Sequence, residues 1–297
     1  AYIGTSLTLS GDTKTEDGNI TIRDDGSIKS NTLLEATKGS IDITANGTAD
    51  FKAVTAGTTV NIQDTAGKVT IDGNATAKGN NSADRAALTI NAGEIETTEN
   101  GKLNAQTGSV SLTAAEKITL LATVTAAKDV DLNAKTIDAQ AKIYAKDGNI
   151  TLTKPAGANS ADFYELQANN IYLNGNAITL HKTVATTGEI SVLGDGKVLT
   201  DALAALDADG KVTLQAGADA DLNTKGTVNG SEVSFLRGKI VAEKDVVAES
   251  GDLLVGTAAA SVASAVSAAF AASSAAFAAA SAASSAAFAA AFASSLT

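Results

Sequence analysis

One short apolar triplet recurs along most of this chain and limits what the chain can fold into. The triplet has the form Ile/Val/Leu–polar–Ile/Leu/Val, and it returns about every twenty residues, a spacing typical of solenoids. Its members are Ile20-Thr21-Ile22, Ile41-Asp42-Ile43, Val60-Asn61-Ile62, Leu88-Thr89-Ile90, Val110-Ser111-Leu112, Val130-Asp131-Leu132, Ile150-Thr151-Leu152, Ile171-Tyr172-Leu173, Ile190-Ser191-Val192, Val212-Thr213-Leu214, Val233-Ser234-Phe235 and Leu253-Leu254-Val255. The regular step predicts that the chain climbs one rung per repeat.

Alternation of apolar and polar residues has the period of a β-strand, in which successive side chains point to opposite faces. The outer two residues of each triplet are therefore predicted to point inward, and the middle residue outward. Glycine often stands just before the triplet, as at Gly39, Gly148 and Gly210, where its tolerance of positive φ predicts a turn. An antiparallel sandwich of many short strands is the alternative, and the uniform step disfavours it.

Energetics favour stacked coils over isolated ones. Two buried apolar side chains per triplet contribute about 3–6 kcal/mol, whereas ordering some twenty residues costs about 30 kcal/mol. Further triplets within the coils predict a second or third strand per turn: Val69-Thr70-Ile71, Ile118-Thr119-Leu120 and Ile178-Thr179-Leu180. The predicted fold is an all-β parallel β-solenoid, a right-handed β-helix of about 20 residues per coil, over residues 1–256.

Composition excludes several classes of function. The 297 residues carry a formal net charge of −11, and an acidic rod with few arginines is not a nucleic-acid-binding protein. Because the chain has no cysteine and only one histidine, it has no disulfide framework and no plausible zinc site. No cofactor is predicted.

Residues 257–297 form a second region of different chemistry, almost entirely alanine and serine, with no charge from residue 258 onward. Alanine favours helix, and the bulky residues fall on one stripe of a helix. They are Val262, Val266, Phe270, Phe277, Phe288 and Phe292. We expect this helical tail to mediate self-association. Packing along its own solenoid, silk-like β stacking and a membrane span are alternatives, and the absence of basic flanks disfavours the last.

Nothing in the chain points to a reaction. His181 follows a predicted strand and is expected to be a surface residue, and neither a nucleophile elbow nor a phosphate-binding loop is present. Acidic turns at 24–26, 207–210 and 219–221 offer oxygen ligands, but solvated carboxylates are favoured over a Ca²⁺ site. Tyr144, Tyr164 and Tyr172 cluster in the middle coils and are candidates for lining a ligand groove.

Strings such as 39–47, 148–152 and 210–217 resemble the coils of filamentous-haemagglutinin-type exoproteins, over roughly residues 18–255. The Asn-Pro-Asn-Gly motif of that family's secretion domain is not found, and an Ala/Ser/Phe tail is not usual in it. The resemblance implies an extracellular or cell-surface fibre of Gram-negative bacteria. We therefore expect a structural, non-enzymatic subunit that associates with itself into a filament, sheath or surface layer. The alternative is an adhesin that binds cell-surface or host glycans, and a polysaccharide-active enzyme is a third, disfavoured hypothesis.

Overall fold

The computed structural model describes residues 6–79, 87–153, 159–182 and 184–256. These residues form an all-β parallel solenoid of about 11 turns, with about 21 residues per turn, and contain no helix. Every strand pairing among them is parallel, so the antiparallel sandwich is wrong and the predicted solenoid is confirmed.

Short strands follow one another along the whole described chain. In chain order they are β1 (Ser6–Leu9), β2 (Thr13–Thr15), β3 (Ile20–Arg23), β4 (Ser27–Ala36), β5 (Ile41–Thr44), β6 (Thr48–Ala56), β7 (Val60–Ile71), β8 (Ala75–Ala77), β9 (Leu88–Thr97), β10 (Leu103–Ala105), β11 (Val110–Leu120), β12 (Val124–Ala126), β13 (Val130–Asn133), β14 (Thr136–Ala145), β15 (Asn149–Leu152), β16 (Ser160–Ala168), β17 (Asn170–Gly175), β18 (Ala177–Leu180), β19 (Val184–Thr186), β20 (Ile190–Gly194), β21 (Val198–Thr200), β22 (Ala205–Ala208), β23 (Val212–Gln215), β24 (Asp221–Thr224), β25 (Thr227–Gly230), β26 (Val233–Phe235), β27 (Lys239–Ala242), β28 (Val246–Ala248) and β29 (Leu253–Val255).

The twelve triplets stack directly on one another and form what we call the first ladder. Their leading residues are register partners from each coil to the next, without exception: Ile20, Ile41, Val60, Leu88, Val110, Val130, Ile150, Ile171, Ile190, Val212, Val233 and Leu253. The outer residues point into the core and the middle residues lie on the outward face, as alternation predicts. Ser234 in β26 is a middle residue that is nevertheless buried.

Each turn contributes two further rungs, in a second and a third ladder. The second ladder runs from β1 to β27 and contains all three of the extra triplets singled out in the sequence. The third runs from β2 to β28. Long strands such as β11 bend from one ladder into the next, so a turn has three β segments in total.

One continuous core fills the space between the three ladders. The third ladder contributes a column of small buried residues, whereas the second accommodates large ones, among them Phe51 and Phe163. The small residues are Ala36, Ala56, Ala77, Ala105, Ala126, Ala145 and Ala168. Small residues on one side leave room for aromatic rings on another, which keeps the interior closely packed.

Side chains also join successive coils at the turn before the first ladder. The Asp129 carboxylate accepts a hydrogen bond from the Asn149 backbone N–H at 2.9 Å. One coil further on, the Asn170 side chain donates to the Asn149 Oδ1 at 2.8 Å and accepts from the Glu189 N–H at 2.9 Å. These bonds satisfy backbone donors at the turns, where a buried unpaired donor is costly.

The glycines before the strands were predicted to adopt positive φ, and this is wrong. Their role is to let the coils stack closely. Among the described glycines only Gly79 and Gly238 have positive φ. A Cβ on Gly148 would lie 2.5 Å from the Lys128 carbonyl carbon, and one on Gly210 would lie 2.5 Å from the Gly188 carbonyl oxygen. The backbone of one turn therefore approaches the turn below too closely for any side chain.

We expect Gly148→Ala to lower the free energy of unfolding by about 1–3 kcal/mol, because the new methyl group forces neighbouring coils apart. Gly11→Ala is the matched control, since a Cβ at Gly11 meets no atom within 4 Å. Urea unfolding followed by circular dichroism measures both. Equal destabilisation by the two substitutions would contradict the close-stacking explanation.

Candidate functional site

The predicted self-association residues of the tail lie outside the described residues. These are Val262, Val266, Phe270, Phe277, Phe288 and Phe292, and the predicted helix over 257–297 lies there with them. Their role stays a prediction.

The three tyrosines predicted to line a groove occupy different places on the solenoid. Tyr172 points outward from the first ladder, and its hydroxyl donates to Glu189 Oε1 at 2.7 Å, which raises the pKa of the phenol. Tyr144 lies on the third ladder, with the Lys142 ammonium 5.3 Å from its ring centre. Tyr164 lies at the corner between the second and third ladders and is 44% exposed. Tyr144 and Tyr164 therefore lie in adjacent coils, where Tyr144 pairs in register with Gln167, and Tyr172 lies on the first ladder.

A cavity of about 390 Å³ opens beside Tyr164, and we call it the His181 cavity. Two outward-facing columns of residues form it, because residues two apart on a strand share a face and the coils are stacked. Asp138 and Asp162 are register partners in one column. The other column lies two residues further along the chain in each coil and contains Gln140 within β14, Tyr164 within β16 and His181 just after β18.

His181 is held between two carboxylates in this cavity. Its Nδ1 lies 2.7 Å from Asp201 Oδ2, and its Nε2 lies 3.9 Å from Asp162 Oδ1. The imidazole is 39% exposed, so the expectation of a surface histidine is correct, although its polar neighbours were not foreseen. Asp138, Asp162 and Asp201 are separated from His181 by 43, 19 and 20 residues in sequence, which are close to whole numbers of coils. Once the number of residues per turn is known, this spacing shows that the four side chains belong to neighbouring coils and can meet at one corner.

An ion network borders the His181 cavity on the third-ladder side. Glu165 is the residue after Tyr164. Its carboxylate forms ion pairs with the Lys182 ammonium at 2.8 Å and with the Lys142 ammonium at 3.2 Å. The bond from Lys182 is the main cause of a lowered pKa of the Glu165 carboxyl group. Lys182 also lies 5.2 Å from the centre of the Tyr164 ring, a cation–π distance. Tyr164 thus contacts the ion network through Lys182 and also lines the cavity.

We expect Glu165→Gln to destabilise the fold by up to about 1 kcal/mol at pH 7, a typical upper value for partly exposed ion pairs. Because the folded-state pKa is lowered, the ionised carboxylate stabilises the fold above the ordinary glutamate pKa of 4.5, and that stabilisation is lost as the pH falls below it. Urea unfolding at pH 7 and pH 3 measures the effect. Glu249→Gln is the control, because Glu249 is exposed. If the difference in unfolding free energy between wild type and Glu165→Gln grew toward pH 3, the predicted direction of the pH dependence would be wrong.

Of the acidic turns predicted as weak calcium candidates, the one at 24–26 has a local structural role. Asp24 Oδ1 accepts the Gly26 N–H at 2.7 Å, and the residue is 4% exposed. Asp64, which lies outside the predicted turns, is fully buried. Its Oδ1 accepts the Gly67 N–H at 3.0 Å, and burial raises the pKa of its carboxyl group. In the described ranges, no group of three or more His, Asp or Glu residues is placed to hold a metal ion. Solvated carboxylates stay the prediction for these turns, and calorimetric titration with Ca²⁺ tests it.

Comparison with known proteins does not assign this chain to a family. No protein-family model, no curated protein and no solved structure matches this chain. Within the described ranges, no helix is long and apolar enough to cross a membrane. The class that the fold defines is that of β-helical repeat proteins, and the resemblance to filamentous-haemagglutinin-type exoproteins remains a hypothesis.

Proposed function

We propose that this protein is a structural subunit whose solenoids stack end to end into an extracellular filament, sheath or surface layer. The observation that carries the proposal is the match between the two ends of the described solenoid. The chain enters in the second ladder at β1 and leaves in the first ladder at β29. Since each turn runs from the second ladder through the third to the first, β1 of another copy would continue the same helical path.

The side chains at the two ends support this stacking. At one end Leu7 and Leu9 face inward, and at the other Leu253 and Val255 do so; all four are only partly buried. Among the described strands, β27, β28 and β29 pair on one edge alone, as do β1, β2 and β3. Stacking a second copy there would complete the hydrogen bonds of a parallel sheet and bury these apolar side chains.

Such a contact is head-to-tail and does not close on itself, so it leads to open fibres and not to dimers. In this proposal the tail, residues 257–297, adds a second contact through its valine and phenylalanine stripe. The extracellular location and the right-handed coil are part of the same proposal, and the resemblance to exported β-helical fibres supports them. The protein has no catalytic role in this proposal.

Negative-stain electron microscopy of the purified full chain over a range of concentrations tests the proposal. We expect ordered fibres or sheets for the wild type and dispersed short rods for Leu7→Asp, because an inward-facing charge cannot be buried between stacked copies. Thr8→Asp, on the exposed face of the same strand, is the control and should still assemble. Dispersed rods for the wild type at every concentration would overturn the proposal.

A further inference from the structure

We propose that the His181 cavity binds a pyranose ring of a neutral or amino sugar. This inference goes beyond the structural role and does not depend on it, since the cavity lies on the flank of the solenoid and not at its ends. Its lining combines an exposed aromatic ring with carboxylate, amide and imidazole groups. The volume of about 390 Å³ lies within the usual range for small-molecule sites.

The chemistry of the lining fits a polyhydroxylated ring. Asp138 and Asp162 offer acceptors for sugar hydroxyl or ammonium hydrogens, and the Gln140 amide offers both a donor and an acceptor. Gln140 Nε2 already donates to Asp138 Oδ2 at 3.2 Å, which orients that carboxylate. Asp201 holds the Nδ1 side of His181, so that Nε2 faces Asp162 and the cavity.

Tyr164 supplies the apolar surface that a sugar ring needs. With 44% of its surface exposed, it is the one aromatic among the large exposed apolar residues of the described chain. Covering such a ring with the C–H face of a pyranose removes apolar area from water. The Lys182–Glu165 contact beside it keeps the ring in place, which lowers the entropy lost on binding.

Charge in the cavity separates the sugars it accepts from those it rejects. Asp138 and Asp162 stand in adjacent coils and face the cavity, so a sugar carboxylate there would meet like charges. A uronic acid is therefore excluded, whereas an amino sugar gains a favourable ion pair. A bare metal ion is not the proposed ligand, because the described part of the chain places no three ligating residues together.

Isothermal titration calorimetry of the full chain with three disaccharides tests the inference: cellobiose, the glucosamine disaccharide and digalacturonic acid. We expect saturable binding of cellobiose or the glucosamine disaccharide, with a Kd of about 1 mM, and none of digalacturonic acid. Tyr164→Ala and Asp162→Asn should each weaken binding at least tenfold, while circular dichroism shows the fold unchanged.

Tyr172→Phe is the matched control, because Tyr172 lies on the first ladder and its hydroxyl binds Glu189. Binding in this variant should equal that of the wild type. The inference is overturned if neither cellobiose nor the glucosamine disaccharide binds saturably, if Tyr172→Phe weakens binding as much as Tyr164→Ala, or if digalacturonic acid binds best.

Discussion

Replacing Ile190 by aspartate is expected to unfold the middle of the solenoid. Ile190 is fully buried in the first ladder, between Ile171 in one neighbouring coil and Val212 in the other. A carboxylate there has no partner, and an uncompensated buried charge costs at least about 3 kcal/mol. Because each coil contacts chiefly its neighbours, the damage should spread through the adjacent coils first.

Ser191→Asp is the matched control for Ile190→Asp. Ser191 is the next residue on β20 and points outward between Tyr172 and Thr213, so a charge there stays in water and should change stability by less than about 0.5 kcal/mol. Urea unfolding and amide hydrogen exchange compare the two variants. Similar stability of both would show that the inward and outward faces of this ladder have been assigned wrongly.

The second large effect is expected for Phe163→Ala, which should cost about 3–5 kcal/mol. Phe163 is fully buried in the second ladder, and its register partners Ala139 and Leu180 leave the ring to fill the space between them. Truncation leaves a cavity that the stacked backbone, fixed by hydrogen bonds to both neighbouring coils, cannot close.

Tyr164→Ala is the control for Phe163→Ala, since Tyr164 is the next residue in β16 and is 44% exposed. It loses a cation–π contact with Lys182 and should cost less than about 1 kcal/mol. Thermal and urea unfolding give both values. A larger loss for Tyr164 than for Phe163 would contradict the described core.

The first ladder was predictable in full, and the other two only in part. Triplets such as Ile41-Asp42-Ile43 stand out because both inward residues are large and apolar. In the third ladder the second inward residue is usually alanine, as in β8, β10 and β12, and alanine carries little hydrophobic signal. The sequence therefore suggests a third strand per turn without identifying its residues, although they follow the same alternation.

The candidate site was less predictable than the fold, for a physical reason. Tyr164 was a candidate from sequence. Asp138, Asp162 and Asp201 come near His181 only because the chain makes three β segments per turn, which determines the residues of successive coils that lie at the same corner of the solenoid. The glycines show a similar limit: their positions were visible, yet the close approach of successive coils that requires them depends on the stacking itself.

Disulfide cross-linking between copies tests end-to-end stacking most directly, because the chain has no cysteine of its own. Thr8 and Val241 occupy the same outward column of the second ladder, at its first and last rungs. In stacked copies they would be adjacent rungs about 5 Å apart, within disulfide reach. We predict that the oxidised double variant Thr8→Cys/Val241→Cys forms a series of covalent oligomers of increasing size. The double variant Thr8→Cys/Val247→Cys places its cysteines on different ladders and should not form them. Head-to-tail stacking would be contradicted if the first variant formed nothing larger than covalent dimers, or if both variants formed the same series of oligomers.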